Sequence, residues 1–199
     1  FITVVGTAGH VVIASMAAYV LEKHKFPGGK AFFNIVVTSL MFSPIVTAIP
    51  NYIVMAKLNW LDTYLALIIP AFGYSLGLFL MKQFMVTVPD SLLESARIDG
   101  ASEFRIFWEI AMPCVKPGWL TLVIFSFQNL WNTTGGTFIY SEELKTLPYA
   151  LNQILSGGFA RAGVGAAVVF IMMIIPIIMF MVTQSNVIQT MSTSGFKDE

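Results

Sequence analysis

Charge is what this chain has least of. Lys, Arg, Asp and Glu together make up 11% of its 199 residues, against about a quarter in soluble globular domains. A larger core cannot absorb the deficit, because a domain of this size still exposes much of its surface. Hydrophobic residues reach 56% and the mean hydropathy is +0.76, so lipid is the simplest solvent for it. The formal net charge is zero, which gives nucleic acid no electrostatic footing. A single cysteine, Cys114, excludes an intrachain disulfide framework and a multi-cysteine metal site. Set in Met112-Pro113-Cys114-Val115, it reads as an apolar filler rather than a reactive thiol.

Histidine is scarce too, with two residues against one cysteine. His10 lies in an apolar run, while His24 stands among lysines in a turn, and the two settings do not point to a shared metal. No Asp lies inside an apolar run, so the paired groups that an intramembrane protease or acyltransferase requires are missing. Charged groups inside spans usually mark ion or proton pathways, and their absence argues against a proton- or sodium-coupled carrier. Short alternating strands, the signature of a membrane β-barrel, are not visible either.

What the chain does have is long uncharged apolar stretches, at 1–21, 31–56, 63–81, 117–131 with its flanks, and 162–183. A helix of about 20 residues crosses a bilayer, and only helices satisfy every backbone group within one segment there. The expected fold is an all-α, polytopic helical bundle with five visible spans. It forms one membrane domain over 1–199, with a polar loop at 82–116. Segments 22–30 and 82–116 and the tail carry Lys23, Lys25, Lys30, Lys82, Arg97, Arg105, Lys116 and Lys197; the other two loops hold only Lys57, Lys145 and Arg161. The positive-inside rule then puts the polar loop and the C-terminus in the cytoplasm and Phe1 outside. Prolines at 44, 50, 70 and 176 interrupt the runs. They read either as tolerated transmembrane prolines or, at Ser43-Pro44 and Ile49-Pro50, as bends around a polar pathway.

The polar loop is the most informative segment. Thr87 or Asp90 is the expected cap of a helix through Leu92, Leu93, Glu94, Ala96 and Arg97, with Gly100 as its stop. Ser102 caps a second helix, whose stripe Phe104, Phe107, Trp108 and Ala111 has helical spacing and ends at Pro113. Such a pair could lie on the inner membrane surface. Its polar face, however, carries Asp90, Glu94, Asp99, Glu103 and Glu109 against Arg97 and Arg105. That balance suits a basic cleft on a protein better than anionic lipid.

The order Glu94-x-Ala96-x-x-x-Gly100, then nine residues, then Ile110-x-x-Pro113 resembles the EAA loop of permease subunits in bacterial ABC importers. Ser95 stands where the family usually has alanine. Asp99-Gly100-Ala101 and Phe125 to Asn132 are similar to the carbohydrate-uptake, maltose-type branch. So are Ala17-Ala18-Tyr19, Phe26-Pro27-Gly28-Gly29-Lys30, Thr146-Leu147-Pro148 and Gly195-Phe196-Lys197. Thr133-Thr134 departs from the acidic and aromatic residues often found there.

The resemblance implies a type I ABC importer permease fold with six spans. One of them would precede Phe1, and a first residue other than Met agrees. It implies a multi-pass subunit of the bacterial cytoplasmic membrane that does no covalent chemistry and holds no cofactor. ATP and Mg would be bound by a cytoplasmic ATPase dimer. The other partners would be a second homologous permease and an extracellular solute-binding protein. Glu94, Ser95, Ala96, Asp99, Gly100, Ala101, Ile110 and Pro113 would couple to the ATPase, and the solute would be a sugar, most simply an oligosaccharide. Uncharged polar and aromatic span residues suit a polyhydroxyl ligand: Asn34, Thr38, Ser43, Tyr74, Gln128, Asn129, Trp131 and Asn132. The competing reading is that these side chains bond to their own backbone or glue helices together. The outer loop 133–161 offers a contact surface for the binding protein or is a solvated connection. A channel or a passive scaffold is the remaining class, and neither needs a helical cytoplasmic handle.

Overall fold

A computed structural model describes residues 1–156 and 162–195. Among them the secondary structure is helical, with no strand. Residues 157–161 of the outer loop, Arg161 among them, and Phe196-Lys197 lie outside the described residues.

Helix α1 (Ile2–Lys23) is the central element. It packs against α4 (Leu65–Phe72), α5 (Ser75–Met85) and α9 (Lys116–Trp131). Its buried face, Gly6, Thr7, His10, Val11, Ala14, Ser15 and Ala18, is built mainly from small residues, which let helices approach closely in a membrane. The closeness is measurable: a Cβ on Gly9 would run into the Phe72 ring, and one on Gly77 into His10 Nε2. Helix α11 (Ala162–Gly195) lies against α9 and carries α10 (Leu147–Leu155) on its side.

The apolar stretches take different forms. Among the described residues three helices are long and apolar enough to cross a membrane, Ile2–Lys23, Leu65–Met85 and Gly163–Thr183, and the bent pair Glu103–Cys114 with Lys116–Trp131 makes a fourth if it is one span. The middle one steps at Gly73-Tyr74, between α4 and α5. Segment 31–56 is two helices, α2 (Gly29–Ser39, 11 residues) and α3 (Pro44–Lys57, 14 residues). At 1.5 Å per residue each is shorter than the ~30 Å hydrocarbon layer. Pro44 is the physical cause, since it offers no backbone N–H and disfavours helical geometry at the residue before it. Ser43 is accordingly extended (ψ 138°), and its Oγ accepts from the Ile45 amide at 3.3 Å. Pro50 and Pro176, by contrast, sit inside continuous helices.

The polar loop folds into α6 (Asp90–Ile98), α7 (Glu103–Ile106), a wide π-turn (Phe107–Ala111) and α8 (Met112–Cys114). This arm meets α9 at 84°. Pro113 cannot donate to the Glu109 carbonyl, and its ring crowds that carbonyl; widening the preceding turn relieves both. The apolar core sits here, where the arm closes over the ends of α1, α5 and α9. Leu93, Ile106, Ala111, Val115, Met81 and Met85 are each 1% exposed or less. At the opposite end the two loops are tied together, because Asp62 accepts from the Tyr140 and Ser141 amides, both at 2.9 Å.

Candidate coupling site

Pro89 precedes α6 with fixed φ and extended ψ, so the helix begins without a side-chain cap. This corrects the capping expectation. Thr87 Oγ1 instead donates to the Phe84 carbonyl at 2.7 Å, and Asp90 is taken by Lys23 Nζ at 2.8 Å. Lys23 also donates to the Val88 carbonyl at 2.6 Å, so the end of α1 grips the start of α6. Leu93 and Ala96, one turn apart, are buried beneath the helix.

The C-terminal end of α6 is a Schellman stop. The Gly100 amide donates to the Arg97 carbonyl and the Ala101 amide to the Ala96 carbonyl, both at 3.0 Å. Closing those two bonds needs a left-handed residue, and Gly100 has φ +81°. A Cβ added there would meet nothing within 4 Å. Glycine is therefore required by the backbone, and the space around it stays open. Ala101 is half-buried against the core. Ser102 Oγ then accepts from the Arg105 amide, the expected cap of α7.

Glu103 is a hub. Its carboxylate takes Arg97 Nε at 2.6 Å, the Tyr19 hydroxyl at 3.0 Å and His24 Nε2 at 3.5 Å. Arg105 pairs with Glu109 at 2.7 Å. The Arg97 hydrogen bond holds the Glu103 carboxyl below its ordinary range, and the Lys23 bond does the same for Asp90. The expected acidic face is thus largely neutralised from within, and three of its five carboxylates have partners. Glu94 and Asp99 remain, exposed and without a hydrogen bond or ion pair among the described residues. Between them on the surface stand Ser95, whose Oγ donates to the Ser91 carbonyl at 2.9 Å, and Ile98, 86% exposed.

The second helix corrects another expectation. Phe107 and Ala111 are buried together with Ile106, but Phe104 is 68% exposed and Trp108 37% exposed. The π-turn shifts the register after Ile106 and so displaces Trp108, whereas Phe104 precedes the turn and, two residues before buried Ile106, stands on the opposite face of α7. Ile110 packs on the edge of the core and Pro113 is exposed. Sequence reasoning missed Lys23, Tyr19 and Ile98 as members of the site. Only Ile98, an isoleucine on an otherwise polar face, carried a local signal.

The pathway residues separate into two groups. Gln128, Trp131 and Asn132 line one cavity of about 690 Å3 between α9, α10 and α11, with Met172, Met173 and Phe180. Asn129 is exposed and its carbonyl accepts from Thr133. Asn34, Thr38, Ser43 and Tyr74 lie elsewhere. Thr38 Oγ1 donates to the Asn34 carbonyl, Ser43 caps α3, and the Tyr74 carbonyl accepts from His10. That last bond fixes the tautomer: Nε2 carries the proton and donates at 3.1 Å, so in the neutral ring Nδ1 accepts from Ser126 Oγ at 2.5 Å. Buried His10 therefore ties α1 to α9 and to the step between α4 and α5, where it is a second donor to the Tyr74 carbonyl beside the Gly77 amide.

A bent, gripped helix at one end of a membrane bundle is the feature to set beside known proteins. The family described as binding-protein-dependent transport system inner membrane component matches residues 10–192. This chain belongs to that family. Protein LplC of Bacillus subtilis is 38% identical over 148 residues, covering 74% of this chain and 50% of the relative. The polygalacturonan/rhamnogalacturonan transport system permease protein YtcP of the same organism is 34% identical, covering 74% and 51%. The sn-glycerol-3-phosphate transport system permease protein UgpE of Yersinia enterocolitica is 37% identical, covering 63% and 45%. The chain thus spans about half the length of these curated relatives. A solved bacterial ABC transporter for import of the acidic polysaccharide alginate superposes with a TM-score of 0.81 at 24% identity, covering 92% of this chain and 70% of that one. That likeness gives the all-α type I importer permease fold. The family is one of transport components, not enzymes.

Proposed function

We propose that this chain is a permease subunit of an ATP-driven sugar importer, coupled to a cytoplasmic ATPase through the helix Asp90–Ile98 and its bend at Gly100. The supporting observation is the division of labour on that helix. Its inner face is locked to α1 by Lys23, Tyr19 and the core, while its outer face keeps Glu94, Ser95, Ile98, Asp99 and Gly100 free. A helix fixed to the bundle on one side and open on the other transmits a push without absorbing it. An exposed isoleucine flanked by two unpaired carboxylates suits a groove with an apolar floor and a basic rim. Ala96, Ala101, Ile110 and Pro113 shape and support this helix rather than touch the partner.

The same placement supports a sidedness. Lys23, Lys82, Arg97, Arg105 and Lys116 gather at the arm's end, and Asp62 ties the loops carrying Lys57 and Lys145 at the other. The positive-inside rule assigns the arm to the cytoplasm, along with the C-terminus. The second permease, the ATPase pair with its ATP and Mg, and a solute-binding protein complete the assembly. YtcP's name supports a saccharide. UgpE's name favours one alternative, a small phosphorylated polyol, on the same scaffold.

Expression of the full-length protein with its partners tests the proposal. The expected result is co-purification of an ATPase and ATP hydrolysis stimulated by binding protein loaded with one of a panel of neutral and acidic oligosaccharides. In the permease without its ATPase, and with Cys114→Ser as background, Ser95→Cys should react with an impermeant maleimide only from the cytoplasmic side. Labelling from outside would refute the orientation.

A further inference from the structure

Two cavities of opposite character meet at the turn between α1 and α2. One, about 1000 Å3, opens between the end of α1, the start of α2 and Lys82 of α5. Its charged lining is Lys25, Lys30, Lys82, His24 and Glu22. Lys82 is neutralised by Glu22 at 2.6 Å and lies over the Phe33 ring. His24 leans away toward Glu103. Lys25 and Lys30 make no side-chain hydrogen bond or ion pair with a described residue; Lys25 also borders a smaller cavity with Asp90, Glu94 and Glu103, of which Asp90 is held by Lys23 and Glu103 by Arg97. The N-terminus of α2 opens into the same space. Gly28 gives it no side-chain cap, and the amides of Lys30 and Ala31 have no backbone acceptor among the described residues. Unpaired amides and two free ammonium groups favour an anion.

The second cavity, about 680 Å3, is an apolar groove that shares Leu21, Phe26, Pro27 and Gly28 with the first. It runs back along α1 past Val20, Met16 and Ile13, with Phe32 as its other wall. From Val20 to Ile13 is about 10 Å of helix, directed from the turn into the bundle's apolar depth. These wall residues are exposed, Phe32 at 51%.

We infer that this junction is a binding site for an anionic phospholipid. The phosphate sits between Lys25, Lys30 and the α2 amides, and an acyl chain lies in the groove along α1. A free inorganic anion would need only the basic half; the continuity of the two halves selects a molecule that is charged at one end and apolar beyond. On the sidedness proposed above, it is a lipid of the cytoplasmic leaflet. The site adjoins the Lys23–Asp90 grip through Lys25, so its occupancy bears on how firmly the coupling arm is held.

The test is native mass spectrometry of the full-length complex in mild detergent, titrated with phosphatidylglycerol or phosphatidylcholine of identical chains. The expected preference of the unmodified complex for phosphatidylglycerol is roughly 10- to 30-fold for two lysines. K25A/K30A should reduce it to within about twofold while K25R/K30R retains it. Ala17→Trp, which fills the groove, should weaken both lipids, and inorganic phosphate alone should not displace them. Full preference in K25A/K30A, or no effect of Ala17→Trp, would overturn the inference. So would displacement by phosphate alone. If the alanine pair fails to assemble, the Ala17→Trp arm still decides. Lipid binding is read without ATP or sugar, so failure here is separate from failure of the transport reading.

Discussion

Replacing Gly100 by Ala and, separately, by Asn measures how much of the coupling site lies in its backbone bend. At φ +81° an alanine costs roughly 1–2 kcal/mol, whereas asparagine visits this region more readily. The Cβ that both variants add meets no atom within 4 Å. The alanine cost should therefore appear as loosening of the stop itself. Exchange of the Ala101 amide, bonded to Ala96 at 3.0 Å, should rise about 5- to 30-fold. In the Asn variant the same amide should stay close to the parent's protection. ATPase stimulation in proteoliposomes supplies the second readout. If the open face is the docking face, both variants place a side chain against the partner, and both lose stimulation. Unchanged exchange in Gly100→Ala would refute the backbone argument. Full stimulation in Gly100→Asn would show that nothing seats closely over the bend.

Glu94→Lys should leave membrane insertion intact and abolish sugar uptake in vesicles, since reversing one charge of a desolvated interface pair costs about 2–5 kcal/mol; near-normal uptake would count against docking through this helix. His10→Leu strips Ser126 of its partner and leaves the Tyr74 carbonyl only the Gly77 amide, a loss of about 1 kcal/mol. That should lower the complex's Tm by about 2–4 °C, and an unmoved Tm would deny His10 its tying role. Asp90 and Glu103 have folded pKa values below their ordinary 3.8 and 4.5. Depressed carboxylates stabilise fully above the unfolded value and lose that contribution as pH falls through the folded one. The arm, followed by Trp108 fluorescence, should hold from neutral pH down to about 5 and loosen below about 4; loosening between pH 6 and 8 would assign its grip to other groups.

The coupling arm was legible because its signals are local. A glycine stop, a serine cap and a charged run between apolar ones each act within a few residues. Its internal pairing was not. Tyr19 and Glu103 are 84 positions apart, and no pattern along the chain shows that α1 ends beside α7. The acidic face was overcounted for that reason. The stripe failed at Trp108 because Pro113 widens the turn before it, a consequence of backbone geometry that side-chain spacing does not carry, and at Phe104 because Ile106 rather than Phe104 faces the core. Ser43-Pro44 announced its break, and Pro50 and Pro176 looked the same in sequence yet left their helices continuous. For the pathway, polarity alone could not tell Thr38, bonded to its own helix, from Gln128, Trp131 and Asn132, which share a cavity.

The central claim is that a helix gripped by the bundle on one face is seated in an ATPase on the other. Hydroxyl-radical footprinting of Ile98 tests it most directly, because this side chain is 86% exposed in the subunit and stands at the centre of the free face. Its labelling should fall by about an order of magnitude in the full complex relative to the permease alone, as expected for the desolvated centre of an interface. Labelling of Ile98 that is the same with and without the ATPase would contradict the account.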